Sequence, residues 1–376
     1  MEASKLSNGE QEYRFKMYGG DAIVKGELDL KLLYIEPTTR CNLSCKICFK
    51  QHWFDKEGDM DWNLFKKLIE ESADFPKLRT VIFGGIGEPT VHPRIADMVS
   101  EAKKRGLKVA ITTNGLFLST SSLLNLVSRG IDSIYFSVDA LPSSWNPMQH
   151  VGSKVVLDRI RALDKWRTEN SKNLHIGAQI VVTKLNYMDI PSMVNLLRSM
   201  NVNEIIVSNI LPTSKEHVEL IVYDGSHDMK KIEEELSLLA SRGARIRMPY
   251  FQLKTERRCL FDENNATVVR WDGEVSPCYR FLHSYKEYIF GREKKVEMVS
   301  FGNIREKSLK EIWLSRDYVR FRFVTRNYFY PSCTDCSLRD SCDFVKSSNL
   351  DCWGNSPSCA DCLWARNLVH CPVPQI

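Results

Sequence analysis

The sequence predicts an α/β fold in which a parallel sheet is covered by helices, followed by a smaller cysteine-rich region. Three observations lead to this prediction. Short β-like runs alternate with helical stretches from about residue 30 to 248, three cysteines directly follow the first run, and the other nine of the twelve cysteines all lie beyond residue 258. Such alternation indicates a parallel sheet. Because six or so units are too few for a closed eight-unit barrel, we expect an open partial barrel or a doubly wound sheet.

The predicted strands are short runs of aliphatic, aromatic and β-branched residues, which suit strands buried on both faces of a parallel sheet. In order they are LLYIE (32–36), TVIF (80–83), KVAITT (108–113), IYFSVD (134–139), IGAQIVVT (176–183), EIIVSNI (204–210) and the short ARIRM (244–248). The helices between them carry apolar residues at helical spacing. They are predicted over residues 60–75, 95–105, 153–170 and 228–242, and Gly106 supplies a stop for the second one.

The composition is that of an ordinary globular protein without nucleic-acid or membrane partners. The chain has 376 residues, of which 43% are hydrophobic and 26% charged, and its net charge of +5 comes from dispersed basic residues. A modest, dispersed charge does not indicate nucleic-acid binding. The N-terminal stretch MEASKLSNGEQEYRF lacks the apolar core of a signal peptide, and no apolar run approaches the length of a membrane span. The sequence therefore predicts a soluble, cytoplasmic protein.

The uneven distribution of cysteines suggests a domain boundary near residue 248. We expect an N-terminal extension over 1–30, a core over 31–248 and an auxiliary domain over 249–376. The last region shows little apolar periodicity and is rich in Cys, Asp and turn residues. We therefore expect it to build little apolar core of its own and to fold around metal.

The first cysteine cluster, RCNLSCKICFK (40–50), brings Cys41, Cys45 and Cys48 into one loop after the first strand. In a reducing compartment, clustered thiols are more often metal or cluster ligands than disulfides. Three thiolates can hold one face of a four-iron cluster, whose usual protein ligands are cysteines, and leave one iron open for a small molecule. The alternative is a zinc site or a chance cluster of buried cysteines.

The segment CNLSCKIC resembles the CxxxCxxC signature of the radical S-adenosylmethionine (SAM) superfamily, although Ile47 stands where an aromatic residue is common. The resemblance implies a partial (β/α)6 barrel and a [4Fe-4S] cluster held by Cys41, Cys45 and Cys48, which are then both metal ligands and catalytic residues. It also implies that the open iron binds SAM and that an electron from the reduced cluster cleaves SAM to a 5'-deoxyadenosyl radical. A reductant such as ferredoxin or flavodoxin is the implied partner.

The second strand is followed by FGGIGEPTVHP (83–93), which resembles the family's GGE element. Gly84, Gly85 and Gly87 would let the backbone approach a ligand closely, and Glu88 would pair with the methionine ammonium group of SAM. After the third and fourth strands, the residues at the family's SAM-contact positions are Thr112, Thr113, Asn114, Ser137 and Asp139. The alternative for these five is that they are polar caps at strand ends. The segment NILP (209–212) resembles the adenine-side segment.

The C-terminal cysteines resemble the SPASM extension of radical SAM maturases, which holds two auxiliary four-iron clusters. Cys259 is followed by thirteen residues, Gly273, four residues and Cys278, and CxxCxxxxxC follows at Cys333, Cys336 and Cys342. The next expected cysteine is replaced by Lys346. The resemblance assigns Cys259, Cys278 and Cys352 to the first auxiliary cluster and Cys333, Cys336 and Cys342 to the second. It leaves open the division of Cys359, Cys362 and Cys371, and the alternative is one or two zinc sites.

The tail DCWGNSPSCADCLWARNLVHCP (351–372) resembles radical SAM/SPASM maturases described as cofactor-modifying proteins of tungsten-containing aldehyde ferredoxin oxidoreductases. The resemblance implies that a protein or cofactor of a tungsten oxidoreductase is the substrate. Two alternatives remain. One is a maturase of ribosomal peptides that forms thioether or carbon–carbon crosslinks, although only about 30 residues precede the first strand, too few for a leader-binding domain. The other is a non-catalytic zinc-binding adaptor. Trp353 and Trp364 are expected to pack around a cluster, and the alternative is that they are aromatic residues on the substrate side.

Overall fold

A computed structural model describes residues 4–5, 11–17, 20–141 and 153–370 of the chain. Near the N-terminus, an antiparallel sheet contains β1 (Ser4–Lys5), β2 (Gln11–Met17) and β3 (Gly20–Gly26). Two side chains of β2, Tyr13 and Phe15, are buried against Val319 from the C-terminal region. The segment predicted as an N-terminal extension is therefore attached to the C-terminal part of the molecule.

The central element is an open sheet of nine strands. Its strands are β4 (Leu32–Ile35), β5 (Thr80–Phe83), β6 (Lys108–Thr113), β7 (Ser133–Ser137), β8 (His175–Val182), β9 (Glu204–Asn209), β10 (Ile246–Arg247), β11 (Ala266–Val269) and β12 (Val275–Ser276). Their order across the sheet is β10-β9-β8-β7-β6-β5-β4-β11-β12. All neighbours are parallel except β11 and β12. Six consecutive parallel strands, β4 to β9, confirm the predicted α/β fold and its partial (β/α)6 arrangement.

Each of these six strands is followed by at least one helix. In chain order the helices are α1 (Trp62–Glu71), α2 (Ile95–Lys104), α3 (Thr120–Ser128), α4 (Lys154–Glu169), α5 (Ile190–Ser199), α6 (Lys215–Val218), α7 (Lys230–Ser241), α8 (Leu260–Glu263), α9 (Leu309–Trp313) and α10 (Arg316–Arg326). The first helix begins after Asp61, whose side chain accepts hydrogen bonds from the backbone N–H groups of Asn63 and Leu64. A carboxylate at this position satisfies orphan N–H groups of the first turn, which explains where the helix starts.

The hydrophobic core lies between this sheet and its helices, and the strands are as buried as their composition predicts. Every residue of β4 and β5 is buried. The same core cluster continues into the C-terminal region, where Ile304, Leu309, Ile312, Trp313 and Tyr318 belong to it. The expectation that residues 249–376 build little apolar core was therefore wrong. The reason is that these apolar residues lie in elements such as α9 that are too short to show a helical period in the sequence.

The region beyond residue 249 also shares the sheet. In β11, Ala266 to Val269 pair in parallel with Leu32 to Ile35 of β4, and β12 pairs with β11. A separate antiparallel hairpin follows, made of β13 (Tyr285–Ile289) and β14 (Arg292–Val296). The sheet is thus continuous across the predicted boundary at 248, and the division into domains stays a prediction. Within the described residues, no helix is long and apolar enough to cross a membrane.

Candidate active site and cysteine clusters

The carboxyl ends of the parallel strands open into a cleft of about 370 Å³. The predicted site residues that line it are Cys41, Cys45, Cys48, Gly85, Gly87, Glu88, Thr112, Asn114, Ser137 and Asp139. They lie far apart in the sequence, but parallel strands bring their carboxyl ends to one edge of a sheet. The structure therefore brings together the side chains that the sequence predicted as one site, apart from Gly84.

The cysteine loop follows the carboxyl end of β4 and contains a compact turn. The N–H of Cys48 donates to the carbonyl of Cys45 at 3.0 Å, and the Cys41 sulfur accepts from the N–H of Leu43 at 3.4 Å. Burial raises the pKa of the Cys45 thiol to about 12, and the neighbouring thiols of Cys48 and Cys41 add to the effect. Three adjacent thiols, with a backbone N–H aimed at one sulfur, fit the requirements of an iron–sulfur cluster.

His217, which the sequence analysis missed, contacts this loop from α6. The N–H of Thr213 donates to Nδ1 of His217 at 3.3 Å, so the ring proton resides on Nε2 and is donated to the carbonyl of Lys46 at 2.7 Å. At the start of the loop, the guanidinium of Arg40 makes two hydrogen bonds to the carboxylate of Asp59, at 2.9 and 2.6 Å. These contacts fix the ends of the loop that carries the cysteines.

The glycines after β5 pack against the protein itself. A Cβ atom on Gly84 would lie 2.5 Å from the hydroxyl of Tyr279, and one on Gly87 would lie 2.2 Å from the carbonyl oxygen of Thr38. Gly85 has a φ of +105°, and a Cβ there would contact the side chain of Glu36 at 2.6 Å. The loop thus requires glycine because neighbouring protein atoms fill the space, a different reason from the close approach of a ligand that the sequence suggested.

Glu88 connects the loop after β5 to the loop after β6. Its Oε1 accepts from the N–H and hydroxyl of Thr90 at 3.0 and 2.6 Å and from the Thr113 hydroxyl at 2.7 Å. Its Oε2 accepts from the N–H of Asn114 at 2.7 Å. Burial raises the pKa of Glu88, and these four donors act in the opposite direction. Because the described residues supply a single donor to Oε2, this oxygen retains acceptor capacity. Pairing of Glu88 with an ammonium group stays a prediction.

Asp139 follows β7 and lines the cleft. Its carboxylate accepts from the N–H of Val181 at 2.7 Å, and burial raises its pKa to about 6. Asn114, on the next loop, donates from its amide to Asn42 at 2.9 Å and lies 3.8 Å from the Cys41 sulfur. The polar residues at the strand ends therefore connect the cysteine loop to the rest of the cleft.

Several residues that line the cleft were missed by the sequence analysis: Gln179, Ser208, Tyr279 and His370. Asn209, from the segment NILP, and Trp364 line the cleft as well. Gln179 and Ser208 are polar positions inside otherwise apolar strands, a signal that could have revealed them. Tyr279 and Trp364 come from the C-terminal region, and the Tyr279 hydroxyl accepts from the N–H of Gly85 at 2.6 Å. Trp353, expected to be packed, is 60% exposed.

Four C-terminal cysteines line a second, enclosed cavity: Cys259, Cys278, Cys359 and Cys362. Burial raises the pKa of the Cys278 thiol to about 12, and the Cys362 thiol adds to this shift. Burial also raises the pKa of Cys359, again with contributions from Cys362 and Cys278. This arrangement supplies the four thiols of a fully ligated cluster and assigns Cys359 and Cys362, which the sequence left open.

The remaining described cysteines form another set outside this cavity: Cys333, Cys336, Cys342 and Cys352. The thiols of Cys352 and Cys336 both contribute to the pKa of Cys333, which burial raises to about 12, and Cys342 and Cys336 act on Cys352 in the same way. The structure thus groups Cys352 with the second set rather than with the first, to which the resemblance assigned it. The chain after Cys342 turns back so that Cys352 reaches the second set. Lys346, at the position of the expected cysteine, forms a surface ion pair with Asp343.

Cys371 lies outside the described residues. The other eight C-terminal cysteines divide into the two sets of four described above. Among the described residues, no three His, Cys, Asp or Glu side chains lie close enough together to hold a single metal ion. An iron–sulfur cluster spreads its ligands over four irons, and a donor set made entirely of thiols suits it.

Comparisons with known proteins agree with this geometry. A model of the radical SAM superfamily matches residues 35–197, and a model of the SPASM iron-sulfur cluster-binding domain matches residues 259–337. The chain is 56% identical to the tungsten-containing aldehyde ferredoxin oxidoreductase cofactor-modifying protein of Pyrococcus furiosus, over 92% of this chain and 98% of that protein. It is 24% identical to the Fe-coproporphyrin III synthase of Methanosarcina barkeri, over 86% of each.

The same fold occurs in a solved structure, native anSMEcpe with bound AdoMet. That structure is similar with a TM-score of 0.60 and 15% identity, over 90% of this chain and 94% of that one. At this identity the similarity shows the fold alone.

Proposed function

Because the chain belongs to the radical SAM superfamily and carries a SPASM domain, we propose that it modifies a protein or cofactor in the maturation of a tungsten-containing oxidoreductase. The chain is a radical SAM enzyme whose cofactors are SAM, a [4Fe-4S] cluster and auxiliary iron–sulfur clusters. The tungsten system is supported by the 56% identity to a protein named as a modifier of that system's cofactor, over 98% of its length.

The residues of the cleft support specific roles in this activity. Cys41, Cys45 and Cys48 would hold the cluster that, when bound and reduced, cleaves SAM to a 5'-deoxyadenosyl radical. Glu88 would orient the SAM ammonium group through Oε2, and it keeps the loops after β5 and β6 in register. The observation that carries this assignment is that the three cysteines and the predicted SAM contacts line a single cleft.

The substrate would enter between the strand ends and the C-terminal region. Tyr279, Trp364, Val369 and His370 of that region line the cleft opposite the strand ends. A wall of this kind excludes water from the reacting carbon, which a radical reaction requires. A small electron-transfer protein such as ferredoxin or flavodoxin would supply the reducing electron. The cytoplasm suits oxygen-sensitive clusters and reduced thiols, so we place the protein there.

The test is to produce a tungsten oxidoreductase from the same organism with the wild-type protein, with the Cys45→Ala variant, or alone. We expect the wild type to change the activity of the oxidoreductase, or the mass of its cofactor or polypeptide, and the variant to behave like the sample without the protein. In parallel, purified wild type must release 5'-deoxyadenosine from SAM with dithionite.

Two outcomes would contradict parts of this proposal. An unchanged oxidoreductase, with SAM cleavage confirmed, would exclude the tungsten system and favour a ribosomal peptide as the substrate. Release of 5'-deoxyadenosine by Cys45→Ala protein would instead contradict the role of the cysteine loop.

A further inference from the structure

The cavity lined by Cys259, Cys278, Cys359 and Cys362 also contains two buried polar groups that the proposed function does not use. Arg280 is 2% exposed and Tyr330 is 1% exposed, and both line this cavity. Neither the Arg280 Nε nor the Tyr330 hydroxyl has a hydrogen-bond partner among the described residues. Buried donors without partners are rare in folded proteins, so a group that receives these hydrogen bonds is missing from the cavity.

Arg280 lines the same cavity as the four cysteines, and its terminal nitrogens are held by the protein. One terminal nitrogen donates to Glu287 at 2.6 Å and the other to the carbonyl of Ser358 at 3.2 Å. Both contacts use the outer nitrogens, and Nε has no partner among the described residues. The guanidinium also acts electrostatically on the thiols. Burial raises the pKa of Cys362, and the charge of Arg280 is the largest influence in the opposite direction.

Tyr330 approaches the same thiols from another segment. Its side chain lines the cavity together with the four cysteines. Burial raises the pKa of Tyr330 strongly, and the thiols of Cys359, Cys362 and Cys259 add to the effect. The ring is fixed by Arg257, whose guanidinium lies 5.1 Å from the ring centroid and donates to the backbone carbonyl of Tyr330 at 2.8 Å.

We propose that Arg280 Nε and the Tyr330 hydroxyl donate hydrogen bonds to sulfur atoms of an iron–sulfur cluster held by Cys259, Cys278, Cys359 and Cys362, and thereby raise its reduction potential. Hydrogen bonds to cluster sulfurs and nearby positive charge stabilise the reduced, more negative cluster. Arg280 and Tyr330 are positioning residues for this cluster. The inference does not depend on which substrate the enzyme modifies, because it concerns the cluster itself.

The test is an anaerobic redox titration of the reconstituted protein followed by electron paramagnetic resonance. A Cys45→Ala background removes the signal of the cluster in the cleft, and loss of a signal in Cys352→Ala protein identifies the second auxiliary cluster. We expect Arg280→Gln combined with Glu287→Gln to lower the equilibrium constant for reduction of the first auxiliary cluster at least tenfold, which is 59 mV for a one-electron couple. Tyr330→Phe should shift the potential in the same direction.

Two controls separate this role from a structural one. Tyr328→Phe removes a hydroxyl from a side chain that is 40% exposed, and it should leave both potentials unchanged. Electron–nuclear double resonance in D₂O should detect exchangeable deuterons coupled to the first cluster, and Tyr330→Phe should remove one of these couplings.

If the Arg280 variant fails to retain iron, Tyr330→Phe decides the question, because it changes neither charge nor shape greatly. A Tyr330→Phe protein with full iron content, wild-type potentials and unchanged deuteron couplings would overturn the inference.

Discussion

His283 joins the chain beyond the cysteine loop to the C-terminal region through buried ionic contacts. Its ring is fully buried, with Nε2 3.0 Å from a carboxylate oxygen of Glu36 and Nδ1 2.8 Å from Asp55. Because both ring nitrogens face carboxylates, both donate, and the ring is an imidazolium. Burial lowers the pKa of His283, but Glu36 and Asp55 outweigh it, so that the net shift is upward. Asp55 is also paired with Arg270 at 3.1 Å.

This geometry predicts that His283→Gln lowers the free energy of unfolding by an amount that depends on pH. The folded-state pKa lies above the unfolded value, so the stabilisation is fully present below about pH 6.5 and is lost as the pH rises through the folded-state pKa. We expect the variant to lower the free energy of unfolding by about 1.5–3 kcal/mol at pH 6, the usual value of a hydrogen bond to a charged group. The difference should shrink at higher pH. Anaerobic urea titrations at several pH values measure it.

His227→Gln is the matched control, because His227 is half-buried and its ring contacts Tyr187 edge-on rather than a pair of carboxylates. That variant should lower the free energy of unfolding less than His283→Gln at pH 6. If the difference between wild type and His283→Gln were equal at pH 6 and pH 9, the imidazolium assignment would be wrong.

At the residue scale, the sequence predicted those site residues whose position follows from the end of a strand. Glu88 and Asp139 are examples, because a polar residue after an apolar run is visible locally. His217 and Tyr279 were missed, since their partners Lys46 and Gly85 lie far away in the sequence. One sequence carries no signal for such pairings. The same limit applies to the glycines. The sequence suggested that they leave space for a ligand, whereas the atoms closest to a Cβ on Gly84 belong to Tyr279, which is distant in the sequence.

At the scale of elements, the C-terminal region has two parts that are stabilised in different ways. Strand β11 is hydrogen-bonded to β4, and Tyr318 of α10 donates to Thr267 of β11 at 2.7 Å. Beyond residue 326, by contrast, the described chain up to residue 370 contains two short 3-10 helices as its regular structure. Six of the eight described C-terminal cysteines lie in this second part. The expectation of a metal-held domain therefore applies to this part of the region.

Removal of iron should consequently lower the protection of residues 327–370 from hydrogen exchange. The protection of β11 and α10 should stay unchanged. A segment with little regular structure loses its support when its ligands are released, whereas strand pairing and burial in the main core do not depend on metal. Hydrogen–deuterium exchange of the protein before and after anaerobic chelation measures this difference. Protein to which iron and sulfide have been restored is the control and should regain protection. Equal loss of protection in β11 and in 327–370 would contradict the division.

The elements that the sequence predicted well are long or strongly periodic. Strands β4 to β9 and helices such as α2 (Ile95–Lys104) follow the predicted ranges to within a few residues. Strands β11 and β12 have four and two residues and lie outside the regular alternation of strands and helices that revealed the equally short β4 and β5. Their place at the edge of the sheet comes from pairing with β4, a contact across more than two hundred residues that local periodicity does not encode.

On the scale of the whole molecule, the three cysteine sets are arranged from the cleft outwards. Cys278 and Cys362 line the first auxiliary cavity, and their near neighbours Tyr279 and Trp364 line the cleft. The first auxiliary set is therefore adjacent to the substrate site. In the second set, Cys352 is exposed to solvent. The two auxiliary clusters thus have different surroundings, one beside the reacting groups and one near the surface.

This arrangement makes the ligand partition testable by pairs of Cys→Ala changes. Fully reconstituted wild type should contain about twelve irons per chain, from three four-iron clusters. Two changes in one set remove one cluster, so Cys278→Ala with Cys359→Ala should leave about eight irons. Two changes in different sets remove two clusters, so Cys278→Ala with Cys352→Ala should leave about four. Iron and sulfide analysis with Mössbauer spectroscopy gives these counts.

The Cys278/Cys352 pair distinguishes the two assignments. The SPASM resemblance alone placed both residues in one set and predicts about eight irons for this double variant, whereas the structure predicts about four. Cys371→Ala is the matched control and should retain about twelve, because the other eight C-terminal cysteines supply all the ligands of two clusters. A count near eight in the Cys278/Cys352 variant, or loss of a cluster in Cys371→Ala protein, would require the ligands to be reassigned.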